Sequence, residues 1–554
     1  MEFDLGRNLS APAPGILPIA DSRSYTVTLT ALWIPIFIAI SLLWYGRLES
    51  PLAHVPLVST GKSSFWDIGH KKAKESFAAN ARKIVAKGFQ QVGNTKPFRV
   101  ISDLGEMLVL PPSMADQVRN IDALSHGEFM KESTCAEVHG FEPFFESTGH
   151  SLLADMTKTK LMGSLKQLTD PVNETATQAC KDLFPDDDGE LTYSSSLSDL
   201  STYYPNKDKD WHEVILKDIL LEIIARMSST IFLGDEEVRH DKTWLRLTKE
   251  YTVDSFLAAH QLRTYPQFLW PILAMLFPQA RKVRDQLHQA EAIIRPLIKR
   301  RRAEKAAALA DPSIKLPERY DSIEWLEQTS QDRKIPYAPV AMQLTLALSA
   351  IHTTTDLITT TMYELLRCPE VIQHLREEVV SVMGSGGIKH SALYSLKLMD
   401  SVIKEAQRIK PALSINMVRK ATANITLPDG FRIPKGTMLG VSHHGAWDSA
   451  VFPEPDKFDA FRFVRLREQP GNENRWQLTT LRSEHIAFGH GLHACPGRFL
   501  AANEIKIALC HLLMKFEWKV AGEVEPRIIE NGIFLDSDPG VRVLVRRRKE
   551  KVEV

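Results

Sequence analysis

The 554-residue chain predicts a mainly α fold with small β-sheets, preceded by one N-terminal transmembrane helix. Three observations carry this. Apolar residues recur at three- and four-residue spacing through "WHEVILKDILLEIIARMSSTIFL" (Trp211 to Leu233), "VRDQLHQAEAIIRPLIKRRRAEK" (Val283 to Lys305) and "VIQHLREEVVSVM" (Val371 to Met383). Strand-like patterns are few and short. From Tyr25 to Tyr45 the chain reads "YTVTLTALWIPIFIAISLLWY" without a charge, and about 20 apolar residues suffice to cross a bilayer as a helix.

Composition sets the bounds. Hydrophobic residues make up 44% and charged residues 25% of the chain, as in an ordinary globular protein. Lys plus Arg and Asp plus Glu balance at 68 each, so no global positive field exists to hold nucleic acid. "KRRR" (Lys299 to Arg302) and "RRRKEK" (Arg546 to Lys551) read as a solvated helix face and a solvated tail. Five scattered cysteines, with no C-x-x-C pair, exclude a disulfide scaffold and fit a reducing compartment.

In chain order, residues 1–24 form an N-terminal tail and residues 25–45 the membrane anchor, with Tyr25, Trp44 and Tyr45 as interfacial aromatics. The preceding tail, and the lack of a small-residue cleavage site, favour an uncleaved anchor over a signal peptide. Arg7 and Arg23 before the span balance Arg47 and Lys62 after it, which leaves orientation open. Pro51 and Pro56 stiffen a hinge over residues 46–58, and residues 59–554 read as one large domain. Within it, Pro185 to Asp210 is a polar surface insertion. Hairpins are expected at "FRVISDLGEMLVL", at "ITLPDGFRIPKGTML" with its Pro428-Asp429-Gly430 turn, and in a C-terminal pair from Arg527 to Val545. Val340 to Cys368, between Pro339 and Pro369, predicts a helix about 43 Å long. Its first half is apolar all round, so it should run through the core, with His352 and Thr353 to Thr355 at its centre.

The stretch "AFGHGLHACPGRFLA" (Ala487 to Ala501) concentrates the chemistry. Pro496 suits a helix start, and Phe499, Ala502, Ile505, Leu509, Leu512 and Phe516 form the stripe of the helix that follows. Cys495 then sits at a helix N-terminus, where N–H groups and the dipole favour the metal-binding thiolate. Gly489, Gly491 and Gly497 let the backbone close around the sulfur and aim N–H groups at it. A merely buried cysteine does not need this frame. A zinc site from His490, His493 and Cys495 lacks a fourth ligand and the usual spacing. "GHGLHA" matches a dinucleotide loop formally, but too little chain follows to complete that fold. A thiolate as sole protein ligand to haem iron fits best.

On these residues the chain resembles the cytochrome P-450 superfamily of haem-thiolate monooxygenases, in the form of fungal membrane-bound enzymes of secondary metabolism. The family pattern F-x-x-G-x-(R/H)-x-C-x-G is met by Phe488, Gly491, His493, Cys495 and Gly497. The resemblance implies the cytochrome P-450 fold, haem b held by Cys495 as axial iron ligand, and an E-x-x-R pair at Glu405 and Arg408. Arg462, in "FDAFRF" where the family more often has P-x-R-F, would complete a structural ion-pair network. The central helix matches A-G-x-(D/E)-T-T as "SAIHTT", Ser349 to Thr354. Thr353 would then bind near dioxygen and help deliver protons. His352 stands where the family has an acid, either as an acid or base near neutral pH or as a buried histidine satisfying one hydrogen bond. The haem propionates fall to His493 and Arg419, with His150 as a third candidate that also reads as a surface histidine.

Family pocket positions fall on Leu413, Ile415, Met417, Ile533 and Phe534 as an apolar wall, with Ser349 and Ala350 giving room above the iron. The resemblance thus implies insertion of one oxygen atom from O2 into a lipophilic small molecule, a terpenoid or similarly polycyclic metabolite. The chain has no nucleotide-binding module, so NADPH would act through a separate flavoprotein, the NADPH-cytochrome P-450 reductase. By the same resemblance the enzyme is a monomer anchored by one span in the endoplasmic reticulum membrane, with its catalytic domain cytosolic. Two other readings stay open: a haem-thiolate isomerase or dehydratase that needs no reductase, and a non-enzymatic haem-binding membrane protein.

Overall fold

In a computed structural model of the protein, the structure describes residues 50–58, 70–149, 151–184, 211–384, 386–522 and 525–548. The expected span at 25–45, the tail before it and the whole insertion at 185–210 lie outside these residues. Among the described residues no helix is long and apolar enough to cross a membrane.

Helix α1 (Lys71–Val92) leads into the antiparallel hairpin β1 (Phe98–Ser102) and β2 (Gly105–Leu110), as its alternating pattern predicts. The short α2 (Ala115–Val118) follows, then β3 (Leu124–Ser125) running straight into α3 (His126–Ser133). Next come α4 (Leu165–Leu183), β4 (His212–Ile215), α5 (Leu216–Leu233), α6 (Lys242–Arg263) and α7 (Pro278–Ala310). The central rod is α8 (Pro339–Arg367), followed by α9 (Pro369–Met383) and α10 (Lys397–Ile409). Both Pro339 and Pro369 stand at helix starts, where their missing N–H removes no bond.

The main sheet has order β1-β2-β8-β5-β3, with β5 (Ile415–Ala421) and β8 (Met438–Ser442) antiparallel and β2 parallel to β8. The Pro428-Asp429-Gly430 turn joins the short β6 (Ile425–Thr426) and β7 (Arg432–Ile433) as expected. After α11 (Arg498–Lys515) come β9 (Phe516–Val520), β10 (Ile528–Asn531), β11 (Phe534–Ser537) and β12 (Arg542–Arg547). Two expectations are corrected here. The C-terminal stretch is not one hairpin: β10 pairs β11, while β12 lies between β4 and β9. That same pairing draws His212–Ile215, predicted to open a helix, into an extended strand against Arg542–Val545, because the β-branched Val214 and Ile215 fit a pleated edge as well as a helix.

Helix α8 runs through the largest apolar cluster, flanked by α5, α6 and α11. Nearly all its residues from Val340 to Leu365 are buried, yet Ser349 and Thr353 are exposed. One turn apart, they lie exposed on the same side of the rod.

Candidate haem-thiolate site

The loop before Cys495 is shaped by two glycines in the left-handed region, Gly489 at φ 71° and Gly491 at φ 74°. Cys495 N–H donates to Phe488 O at 2.8 Å and Gly489 N–H to Ile486 O at 2.8 Å, which closes the loop on itself. It also docks on the chain just after α2. Leu492 N–H donates to Asn120 Oδ1 at 3.0 Å, and His490 Nε2 meets Asp116 Oδ1 at 2.9 Å and Arg119 Nη1 at 3.1 Å. A Cβ at Gly491 would fall 2.5 Å from Arg119 Cβ and 2.8 Å from its carbonyl oxygen, so only glycine fits. Gly497 differs from its expected role, since its φ is −87° and the space beside it is open. Its contribution is the N–H, which with that of Arg498 pulls the Cys495 thiol toward its charged form.

Helix α11 begins at Arg498 with Gly497 as its cap, so Pro496 lies outside the helix and Cys495 just beyond the end. The thiolate was expected to be favoured there. Instead burial pushes the Cys495 thiol up, against the pull of the Gly497 and Arg498 N–H groups and the Arg498 guanidinium. Two N–H groups and one cation are too little to hold a desolvated thiolate alone. A haem iron bound there would supply the missing positive charge.

A second set of residues fits the other end of a haem. Arg419 on β5 is 4% exposed, and its Nη1 donates to Val418 O at 2.7 Å. No carboxylate pairs with it among the described residues, and burial alone pulls it down to about 10. His126, at the start of α3, sets Nδ1 3.3 Å from Val418 O and its ring 6.2 Å from that of His493. Burial first, then Arg419 and His493, hold it at about 4. His493 is lowered by burial, by Arg419 and by Lys158, against a weaker pull from Asp122. One unneutralised cation, Arg419, thus stands beside two neutral imidazoles able to donate N–H bonds, a set that suits the two propionates of haem. His126 was not found from the sequence. The β3–β5 pairing, Ser125 opposite Lys420, carries it to Arg419, and a chain with 18 histidines gives no local sign of that. His150 lies outside the described residues.

On α8, Thr353 Oγ1 donates to Ser349 O at 2.9 Å, and Ser349 Oγ to Thr345 O at 2.7 Å. Both hydroxyls keep lone pairs for other donors. Thr354 and Thr355 turn into the core. His352 turns away from Thr353 and places Nε2 2.8 Å from Lys249 O of α6. Burial, partly offset by that bond, holds it at about 4.

Glu405 and Arg408 form a bidentate pair at 2.8 and 2.9 Å, and Arg462 Nε joins Glu405 at 3.0 Å. The remaining guanidinium protons go to carbonyls, Arg408 to Ala446 at 2.7 Å and Arg462 to Pro453 at 2.6 Å. The network is buried, with one carboxylate serving two guanidiniums, so removing that carboxylate would leave buried charge uncompensated.

The structure brings some of the residues expected in the apolar wall together and separates others. Leu413 bridges to Phe534, Ser414 N–H donates to Ile533 O at 2.8 Å, and Leu413, Ile415 and Ile533 share one cluster. Phe534, 43% exposed, packs its ring 5.8 Å from Phe256 of α6, an aromatic the sequence did not single out. Ile415 and Ile533 are buried behind this surface. Met417 departs from the expected wall, because a β-bulge in β5 at 416–419, with Met417 at φ 50°, turns it into a separate cluster under Leu108, Leu110 and Ile486. The same bulge aims Asn416 Nδ2 at Ile486 O (2.8 Å) and Ala487 O (3.1 Å), where the cysteine loop begins. Ala350 stays half-buried beside Ser349.

These features suit a helical protein that would hold haem through a cysteine thiolate. Residues 115–544 match the cytochrome P-450 family. A cytochrome P-450 monooxygenase, calE of Penicillium decumbens, is 60% identical over 552 residues, covering 100% of both chains. The cytochrome P-450 monooxygenase adrA of Penicillium rubens is 39% identical over 502 residues, 90% of this chain and 92% of its own. Among solved structures, the retinoic acid-bound cyanobacterial CYP120A1 aligns with a TM-score of 0.61 over 85% of this chain and 95% of its own, at 15% identity, which bears on the fold alone. The chain belongs to the cytochrome P-450 family of monooxygenases, whose prosthetic group is haem and whose electrons come from a reductase.

Proposed function

We propose that this chain inserts one oxygen atom from O2 into a lipophilic small molecule, a terpenoid or polycyclic secondary metabolite, within a biosynthetic pathway. The observation that carries the reading is the open face of α8: Ser349 and Thr353 are exposed there, in a helix otherwise buried. The partly exposed Phe534 and Leu413 supply an apolar surface of the kind a lipophilic substrate needs. Haem, when bound, supplies the oxygen-activating iron.

The residues divide the work. Cys495 would bind the iron, its sulfur steadied by the Gly497 and Arg498 N–H groups. Arg419, His493 and His126 would hold the propionates, and Phe488 and Gly491 shape the loop. Thr353 Oγ would hold and pass protons on the distal side, and Glu405, Arg408 and Arg462 keep the proximal framework fixed. In this reading residues 1–24 are a tail, 25–45 a single span in the endoplasmic reticulum membrane and 46–58 a hinge. Residues 59–554 form a cytosolic, monomeric catalytic domain served by the NADPH-cytochrome P-450 reductase.

The test combines a spectrum with turnover. The reduced, carbon monoxide-treated protein should show the thiolate-type Soret band, and Cys495→Ser should lose it. With reductase, NADPH and labelled dioxygen, a panel of terpenoids and other polycyclic lipophiles should yield a product carrying one labelled oxygen. A product formed equally without NADPH would point instead to an isomerase or dehydratase.

A further inference from the structure

His352 is half-buried one residue before Thr353, and its Nε2 lies 2.8 Å from the carbonyl of Lys249 in α6. A carbonyl only accepts, so Nε2 carries a proton, and desolvation, which holds the ring at about 4, keeps it neutral at pH 7. Lys249 is itself fixed, with Nζ 2.7 Å from Glu222 of α5, which also takes Arg226 at 2.8 Å. One turn further along α8, Asp356 is bonded by Lys410 and by the Ser537 N–H at 2.7 Å, and lies 3.9 Å from Lys217. The turn of α8 that carries Thr353 is therefore gripped at both ends, by α6 at His352 and by β11 at Asp356.

We propose that His352 is a positioning residue, a neutral strut whose N–H fixes the separation of α6 and α8 beside the oxygen-binding turn, and not a proton carrier. In the pattern A-G-x-(D/E)-T-T this position holds an acid. An ionised carboxylate has no proton for the Lys249 carbonyl and would repel it. The charged groups that face the ring are Lys217, Lys249 and Asp356, two cations and one anion already engaged elsewhere. Restoring the acid at 352 thus breaks the strut, whereas glutamine, with an amide N–H at similar reach, preserves it.

The test uses the haem-loaded full chain as wild type, His352→Gln, His352→Ala and His352→Asp. Amide hydrogen exchange reads residues 249–257 of α6, and spectral titration with 4-phenylimidazole, a bulky iron ligand, reads the space above the haem. Loss of one hydrogen bond should speed exchange there about fivefold in the Ala and Asp variants and change the phenylimidazole Kd severalfold. The Gln variant should stay within about twofold of wild type, and its reductase-driven NADPH oxidation should keep the wild-type pH profile. Ala and Asp variants indistinguishable from wild type would overturn the strut. So would a Gln variant as impaired as Ala, or one that loses a titration step present in wild type. Should Ala and Asp fail to take up haem, the Gln variant alone decides: a normal Soret band and normal exchange support the strut, and their loss refutes it. The Soret band is read separately, so a failed strut is distinguishable from a failed haem assignment.

Discussion

Glu405 accepts from two arginines at once, Arg408 through Nε and Nη2 at 2.8 and 2.9 Å and Arg462 through Nε at 3.0 Å, with Glu405 and Arg408 fully buried. One carboxylate between two guanidiniums leaves a net positive charge, which the carbonyls of Ala446, Pro453 and Glu454 soften. Glu405→Gln keeps the shape but leaves two buried cations without an anion. The expected cost is about 3 to 5 kcal/mol, read as a fall in the denaturation midpoint and in haem content. A variant with wild-type stability would remove the network from the framework.

Gly491 and Gly489 both adopt positive φ, but they differ in what a side chain would meet. At Gly491 a Cβ runs into Arg119, whereas at Gly489 the nearest heavy atom is Ala494 Cα at 3.4 Å. Gly489→Ala should therefore cost only the left-handed backbone penalty, about 1 to 2 kcal/mol. Gly491→Ala should add displacement of the loop from Arg119 and Asn120. Haem occupancy after purification should rank wild type, then Gly489→Ala, then Gly491→Ala, and a reversed order of the two variants would refute the docking argument.

What could be read before the fold was known follows from how local each signal is. The cysteine loop and the central helix are local: glycines, a proline and an apolar run fix them within a dozen or so residues. Glu405, Arg408 and Arg462 were found because they fall at fixed places in a resembled family. His126 and Phe256 were missed because only strand pairing and helix packing bring them to Arg419 and Phe534. Met417, placed on the wall from the resembled family's pocket positions, lies elsewhere because a bulge in β5, set by cross-strand register with β8, turns it away. The strand at His212–Ile215 depends in the same way on β12, more than 300 residues away in the chain.

Arg419 offers a prediction with opposite signs in two states. Without haem its buried guanidinium has no anion, so Arg419→Met should leave the haem-free protein as stable or more so, since an unpaired buried charge is costly. With haem the same substitution removes a propionate partner. Haem transfer to an acceptor globin should speed up at least tenfold, the equivalent of about 1.4 kcal/mol, within the range of a charged hydrogen bond. Equal haem loss rates in variant and wild type would detach Arg419 from the cofactor.

Glu504 on α11 is buried, and its one bonded oxygen, Oε1, accepts from Ser228 Oγ at 2.8 Å. Burial pushes its carboxyl up to about 8, with Ser228 pulling weakly the other way. A carboxyl raised in the folded state holds more protons there than when unfolded. Its contribution is thus fully present below the unfolded value, near 4.3, and is lost as pH rises toward 8, at up to about 1.4 kcal/mol per pH unit. Glu504→Gln should flatten this slope and raise the denaturation midpoint at pH 7.5 more than at pH 5.5. An unchanged slope between those pH values would show the carboxyl to be ionised in the fold.

Thr353 carries the last expectation. Its hydroxyl gives its proton to Ser349 O at 2.9 Å and stays exposed on the open face of α8, so its lone pairs are free to accept from a water or substrate group. Alanine is at least as good a helix former, so Thr353→Ala should fold and keep the thiolate-type Soret band. What it lacks is the oxygen proposed to relay protons, a function worth roughly a hundredfold or more where proton transfer limits the step. With reductase and an accepted substrate, NADPH consumption should continue while product per NADPH falls at least tenfold and hydrogen peroxide rises. Thr353→Ser, which keeps the hydroxyl, should restore most of the yield. An Ala variant with unchanged product per NADPH would mean that protons reach the distal side without Thr353.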